Sequence, residues 1–185
     1  MLVKPVIVTG LSSDIDSLTV VYHCISCISF KSLQVDAYEH LVAGNYKECI
    51  AICKRCNAKV AAALGENSPE LIYTNLVLCE VYTKLTKYSE ALEAIQQAGL
   101  LLDCSPGLTD SHMFRVFYHR DLAILHRIQL RFNDAQVNFQ KVVDIRRKYQ
   151  GERHPDTAFA LMDLALVHKV CITYIFFFLF LFSNS

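Results

Sequence analysis

Glycine and proline are scarce in this chain, six and four among 185 residues. With long stretches of 3.6-residue periodicity between them, that scarcity excludes a turn-rich β architecture and predicts an all-α protein. Net charge is missing as well. Eighteen basic and eighteen acidic residues cancel, which removes the global electrostatic argument for nucleic acid or an acidic membrane surface as partner. No Ser/His/Asp set, phosphate-binding glycine loop or paired-carboxylate motif stands out. The fragment Val8-Thr9-Gly10-Leu11-Ser12-Ser13 puts Asp14 and Asp16 where a dinucleotide site needs glycines. A protein that is not an enzyme, with no cofactor and no metal, is the expectation. A secretion signal is lacking too, because Asp14 and Asp16 follow the short apolar run at residues 6–11. The eight cysteines are therefore expected as reduced thiols in the cytoplasm.

What the chain does contain is a repeat. Residues 86–98 carry an aromatic at Tyr88 and then Ala91, Ile95 and Ala98, spaced to share one helical face. The same order recurs as Tyr46 with Cys49, Cys53 and Cys56, and as Phe132 with Ala135, Phe139 and Val142. The aromatics lie 42 and 44 residues apart, and self-similarity at such a period marks a solenoid. Upstream of each aromatic a second helix is expected. Its inward residues are Leu78, Cys79 and Tyr82 in one copy, then Leu122, Ala123 and His126, then Leu164, Ala165 and His168. The three cysteines on one face resemble a metal site in isolation. Their counterparts are Ala, Ile, Phe and Val, so the reading preferred here is three small core positions. His126 and His168 likewise fall in the packing slot of Tyr82. Cys24 and Cys27 form a CxxC without further ligands or a thioredoxin-like setting, and are read as structural.

The small–aromatic–small helix pair resembles the tetratricopeptide repeat (TPR), with a unit longer than the usual 34 residues. The junctions Leu64-Gly65-Glu66-Asn67-Ser68-Pro69 and Gln150-Gly151-Glu152-Arg153-His154-Pro155-Asp156-Thr157-Ala158 are similar to the "LG-x-x-HP-x-x-A" linker of kinesin-light-chain-type repeats. Gly65 and Gly151 suit helix C-terminal stops, and Pro69 and Pro155 lie at or just before the next helix. Two departures stand out. Leu130 replaces the glycine expected before Phe132, and the helix at residues 31–42 matches the pattern poorly. The resemblance implies a right-handed superhelical solenoid of antiparallel helix pairs, about three repeats plus the first helix of a fourth, over residues 30–169.

Residues 1–29 are read as an irregular or capping leader, with a short strand and turn at residues 5–10 and a β-branched apolar run at 18–28. Residues 170–185 form a hydrophobic tail in place of the rest of a fourth repeat. Val170-Cys171 is what an in-frame splice donor encodes, and a Phe/Leu/Ile/Tyr/Ser run is what T-rich intron sequence encodes. The tail is therefore read as intron read-through. Its apolar run at 170–182 would be about 20 Å long as a helix, short of a bilayer core of about 30 Å. A membrane partner is expected only if the tail is genuine.

In a TPR array the first helices of successive units line a concave groove. Carried onto this chain, the groove positions are Tyr73, Leu76, Glu80, Thr83 and Lys84, then Phe117, Arg120, Ile124, Arg127 and Ile128, then Phe159, Met162, Leu166 and Lys169. The resemblance implies a scaffold or adaptor that holds a partner's peptide or helix. The cations Lys84, Arg120, Arg127 and Lys169 suggest acidic residues around an aromatic anchor in that ligand. Two further readings are a regulatory or targeting module of a larger multidomain protein and a tail-anchored membrane adaptor.

Overall fold

The computed structural model describes residues 17–105 and 113–183, which form seven helices. They are α1 Ser17–Val42, α2 Tyr46–Leu64, α3 Leu71–Lys84, α4 Tyr88–Asp103, α5 Met113–Ile128, α6 Phe132–Gln150 and α7 Pro155–Ser183. The expected strand at residues 5–10 lies outside the described residues. The β-branched run at 18–28 is helical, as the first half of α1. Neither expected boundary, at 29/30 or at 169/170, coincides with a break in secondary structure, since α1 and α7 run through them.

Helices α1 and α2, α3 and α4, and α5 and α6 pack as pairs, and α7 lies on α6. The odd helices also meet, with α3 touching both α1 and α5. That contact makes one continuous surface out of the first helix of each pair. The reason is visible in the second helices. Cys49, Cys53 and Cys56 of α2 are fully buried, as are Ala91 and Ala98 of α4 and Ala135 of α6, and Ile95, Phe139 and Val142 are almost so. Small side chains at these positions let each neighbouring helix approach, while the larger one fills the gap between them. Each fully buried Val, Leu or Ile contributes about 1.5–3 kcal/mol through removal from water.

Turns within pairs share one hydrogen-bonding scheme. After α1, α3 and α5 the residues Gly44, Thr86 and Leu130 take left-handed backbone, with φ of 77°, 60° and 60°. Their N–H groups donate to the carbonyls of Leu41, Thr83 and Arg127. The following N–H groups, of Asn45, Lys87 and Arg131, donate to His40, Tyr82 and His126. This is the Schellman arrangement, which needs one left-handed residue and prefers glycine there. Leu130, the departure noted in the sequence, therefore accepts the strained conformation rather than changing the turn. Between pairs, Gly65 and Gly151 cap α2 and α6 with φ of 91° and 87°. Beyond Gly151, the Thr157 hydroxyl donates to the Gly151 carbonyl at 2.9 Å and Arg146 pairs with Asp156, which locks the start of α7 onto α6.

The last helix departs from expectation. Cys79 and Ala123 are fully buried beneath α4 and α6, whereas Ala165, at the equivalent position of α7, is exposed, as is His168. Among the described residues no helix covers that face of α7. The opposite face, with Ala160 and Val167, is the one buried on α6.

Candidate peptide-binding groove

The surface made by α1, α3 and α5 contains two adjoining cavities of about 390 and 350 Å³. Helix α3 supplies Tyr73, Leu76, Glu80 and Lys84, spaced by three or four residues on one face, and α5 supplies Phe117, Arg120 and Ile124 in the same way. These seven and Thr83, eight of the fourteen positions expected from the sequence, are brought together. The other six, Arg127, Ile128, Phe159, Met162, Leu166 and Lys169, do not line the two cavities. Arg127 lies one turn beyond Ile124, Phe159 is exposed on α7, and Lys169 lines a separate shallow depression with Leu166 and Tyr174.

Two contributions lie outside the sequence expectation. Tyr38, Leu41 and Val42 of α1, with Tyr46, close one end of the larger cavity. The poor match of residues 31–42 to the repeat hides them, although the buried row Phe30, Leu33, Ala37 and Leu41 has helical spacing. The second is Asp121, which forms part of the floor of both cavities and is only 6% exposed. One unit earlier its slot holds the buried Val77, and that apolar counterpart is the signal from which burial could have been read.

The electrostatics centre on Arg120. Its Nε and Nη2 donate to Asp121 Oδ1 at 3.0 and 2.9 Å. Nη2 also reaches Glu80 Oε2 at 3.4 Å, and the guanidinium stands 5.3 Å from the centre of the Phe117 ring. The other Glu80 oxygen faces Lys84 Nζ at 3.5 Å. Burial pushes the Asp121 carboxyl up to about 6, and the adjacent Arg120 only partly opposes this. Burial likewise raises the Tyr73 phenol to about 12. Asp163 of α7 is raised by partial burial and eased by the positive charges of Arg120 and Arg127. Arg127 and Lys169 make no ion pair among the described residues, so theirs are the less committed charges. The chain thus offers an aromatic and aliphatic basin beside a set of charges that nearly cancel.

The residues given other roles from sequence are placed clearly. Cys49, Cys53, Cys56 and Cys79 are buried free thiols, and burial raises all four thiol pKa values. Cys49 Sγ donates to the Ala37 carbonyl at 3.2 Å, tying α2 to α1. His126 is half-buried, its pKa lowered by burial and then by Arg131. His168 is exposed and hydrogen-bonds Gln136 at 3.0 Å. Within α7, residues 155–176 are long and apolar enough to cross a membrane by length and composition, a longer stretch than the tail alone.

Comparison with solved structures decides the architecture. Two crystal structures of nearly identical TPR-like repeats, from a Podosopora anserina protein assigned as a kinesin light chain, superpose with TM-scores of 0.66 and 0.64, the second being a variant with one glutamine replaced by methionine. Both are 20% identical to this chain and are matched over 76% of it. This chain is a TPR-like solenoid. It covers 65% of the length of each of those two chains. No family model matches the sequence, and no curated protein matches it. The TPR-like likeness therefore resides in the fold, where the stacked pairs and the surface of first helices coincide with the arrangement implied by the repeat.

Proposed function

We propose that this TPR-like solenoid is a non-enzymatic interaction scaffold in the cytoplasm, holding an extended peptide or helix of a partner protein in the groove of α1, α3 and α5. The observation that supports it best is the pair of adjoining cavities, because an apolar basin flanked by fixed charges is what a peptide with one large side chain requires. Tyr73, Leu76 and Phe117 form the seat for an aromatic or large aliphatic anchor. Lys84, Arg120 and Arg127 favour acidic residues beside that anchor, with Phe159 and Lys169 of α7 extending the face. A photo-crosslinking residue placed at Ile124 is expected to capture acidic peptides from a proteolysed lysate, whereas one at the exposed Val137 of α6 is not. Equal capture at both positions would count against the groove. Membrane attachment through α7 is a second reading, favoured by the apolar stretch at 155–176. Resistance of the full chain to carbonate extraction from membranes is its test.

A further inference from the structure

We propose that Glu80 is a built-in competitor, occupying on Arg120 and Lys84 the place that a ligand carboxylate takes when it binds. The inference rests on the groove reading above and specifies how its charged end is gated. Glu80 is the only acidic residue at its repeat position, since the equivalents one and two units later are Ile124 and Leu166. Arg120 is equally isolated, its equivalents being Leu76 and Met162. Helix pairs therefore stack without this ion pair elsewhere in the chain, and the framework alone does not demand it.

The geometry separates two kinds of partner for Arg120. Asp121 is buried, has a short side chain on the same helix, and holds Nε and Nη2 at 3.0 and 2.9 Å. It fixes the guanidinium over the Phe117 ring and is not displaced by a ligand. Glu80 is different. Its side chain is one-third exposed, comes from the neighbouring helix, and spreads one oxygen to each cation at 3.4 and 3.5 Å. Those separations exceed the 2.7–2.9 Å typical of a well-formed charge-assisted hydrogen bond. A partly exposed, long ion pair contributes little to the fold, so Glu80 swings to water at small cost. A ligand carboxylate entering from the groove then meets Arg120 already oriented by Asp121 and Phe117, with Lys84 beside it. While Glu80 remains in place, the same carboxylate meets a like charge. Weakly acidic segments are rejected by that competition, and segments with several carboxylates overcome it.

The charges facing this cluster are Glu80 and Lys84 on α3, Arg120 and Asp121 on α5, and Asp163 on α7. Asp163 interacts with Arg120 and Arg127 without an ion-pair contact, so among these described residues only Glu80 is partly exposed and paired with two cations.

The test is fluorescence anisotropy with the full chain and a labelled peptide carrying one tryptophan between pairs of aspartates. Glu80→Gln keeps the side-chain shape and removes the charge. It is expected to tighten binding roughly three- to tenfold, as loss of a like charge beside a partly exposed ion pair implies. The same peptide with asparagines in place of aspartates should show no such gain. Unchanged or weakened binding of the acidic peptide by Glu80→Gln, with wild type binding it, would overturn the competitor role alone. Absence of binding by both proteins would remove the groove reading as well.

Discussion

Arg120 Nη2 stands 2.9 Å from Asp121 Oδ1, and the two residues are neighbours in sequence on a helix whose other buried residues, Val116, Ala123 and Leu125, are apolar. This local pair sets the charge of the groove floor and makes the stability of the solenoid depend on pH. The Asp121 pKa is raised from 3.8 to about 6, so between those values the folded state holds the proton more tightly than the unfolded chain. Its contribution to stability is full below the unfolded value and is lost as pH rises through the folded one. The unfolding free energy of wild type relative to Asp121→Asn should fall on the order of 2 kcal/mol between pH 4 and pH 7.5. Urea titrations of both proteins at the two pH values measure it. A difference that stays level or grows with pH contradicts the assignment.

Removing the cation should be worse than removing the acid. Arg120→Ala leaves a buried carboxylate without its partner, at a cost of about 3–5 kcal/mol near neutral pH. The loss should shrink at pH 5, where Asp121 is mostly protonated. Thermal melts at the two pH values check this.

The Schellman turns offer a gain. Thr86 and Leu130 hold φ of 60° without being glycine, and a side chain in that region costs about 1–2 kcal/mol. Thr86→Gly and Leu130→Gly should each raise stability, by up to about 1 kcal/mol after the entropy of glycine in the unfolded chain is subtracted. Gly44→Ala, at the matching turn, should lower it. Chemical denaturation of the three variants reads the sign directly.

Burial at equivalent repeat positions separates Ala123 from Ala165. Ala123→Lys places a charge in a closed core and should cost more than about 4 kcal/mol, while Ala165→Lys on the uncovered face of α7 should stay within about 0.5 kcal/mol. Circular dichroism melts distinguish the two. Equal destabilisation would mean that the exposed face of α7 is covered in the folded protein.

Much of this architecture is legible in the sequence, and the exceptions have physical causes. The rows Cys49/Cys53/Cys56, Ala91/Ile95/Ala98 and Ala135/Phe139/Val142 reveal the fold because small residues at fixed spacing are what close helix packing requires. The same register places Tyr73, Leu76, Glu80, Lys84, Phe117, Arg120 and Ile124 on one surface. That register also predicts burial of Ala165, but burial there depends on a covering helix and not on the residue itself. Asp121 escapes notice because a charged residue reads as solvated until its neighbours are known. Tyr38 and Leu41 escape because α1 packs by an apolar row of its own, Phe30, Leu33, Ala37 and Leu41, without the repeat's signature.

Binding of a partner peptide by the surface of α1, α3 and α5 is tested most directly by the affinity of the full chain for the tryptophan–aspartate peptide, measured beside Arg127→Glu and Lys141→Glu. Arg127 lies one turn beyond Ile124 on α5, is proposed to meet the ligand's carboxylates, and forms no ion pair among the described residues, while Lys141 is exposed on α6. Arg127→Glu is expected to weaken binding by about tenfold or more, as for a charge reversal at a carboxylate contact, and Lys141→Glu to leave it unchanged. Equal loss from both substitutions, or loss from Lys141→Glu alone, would contradict binding at this surface.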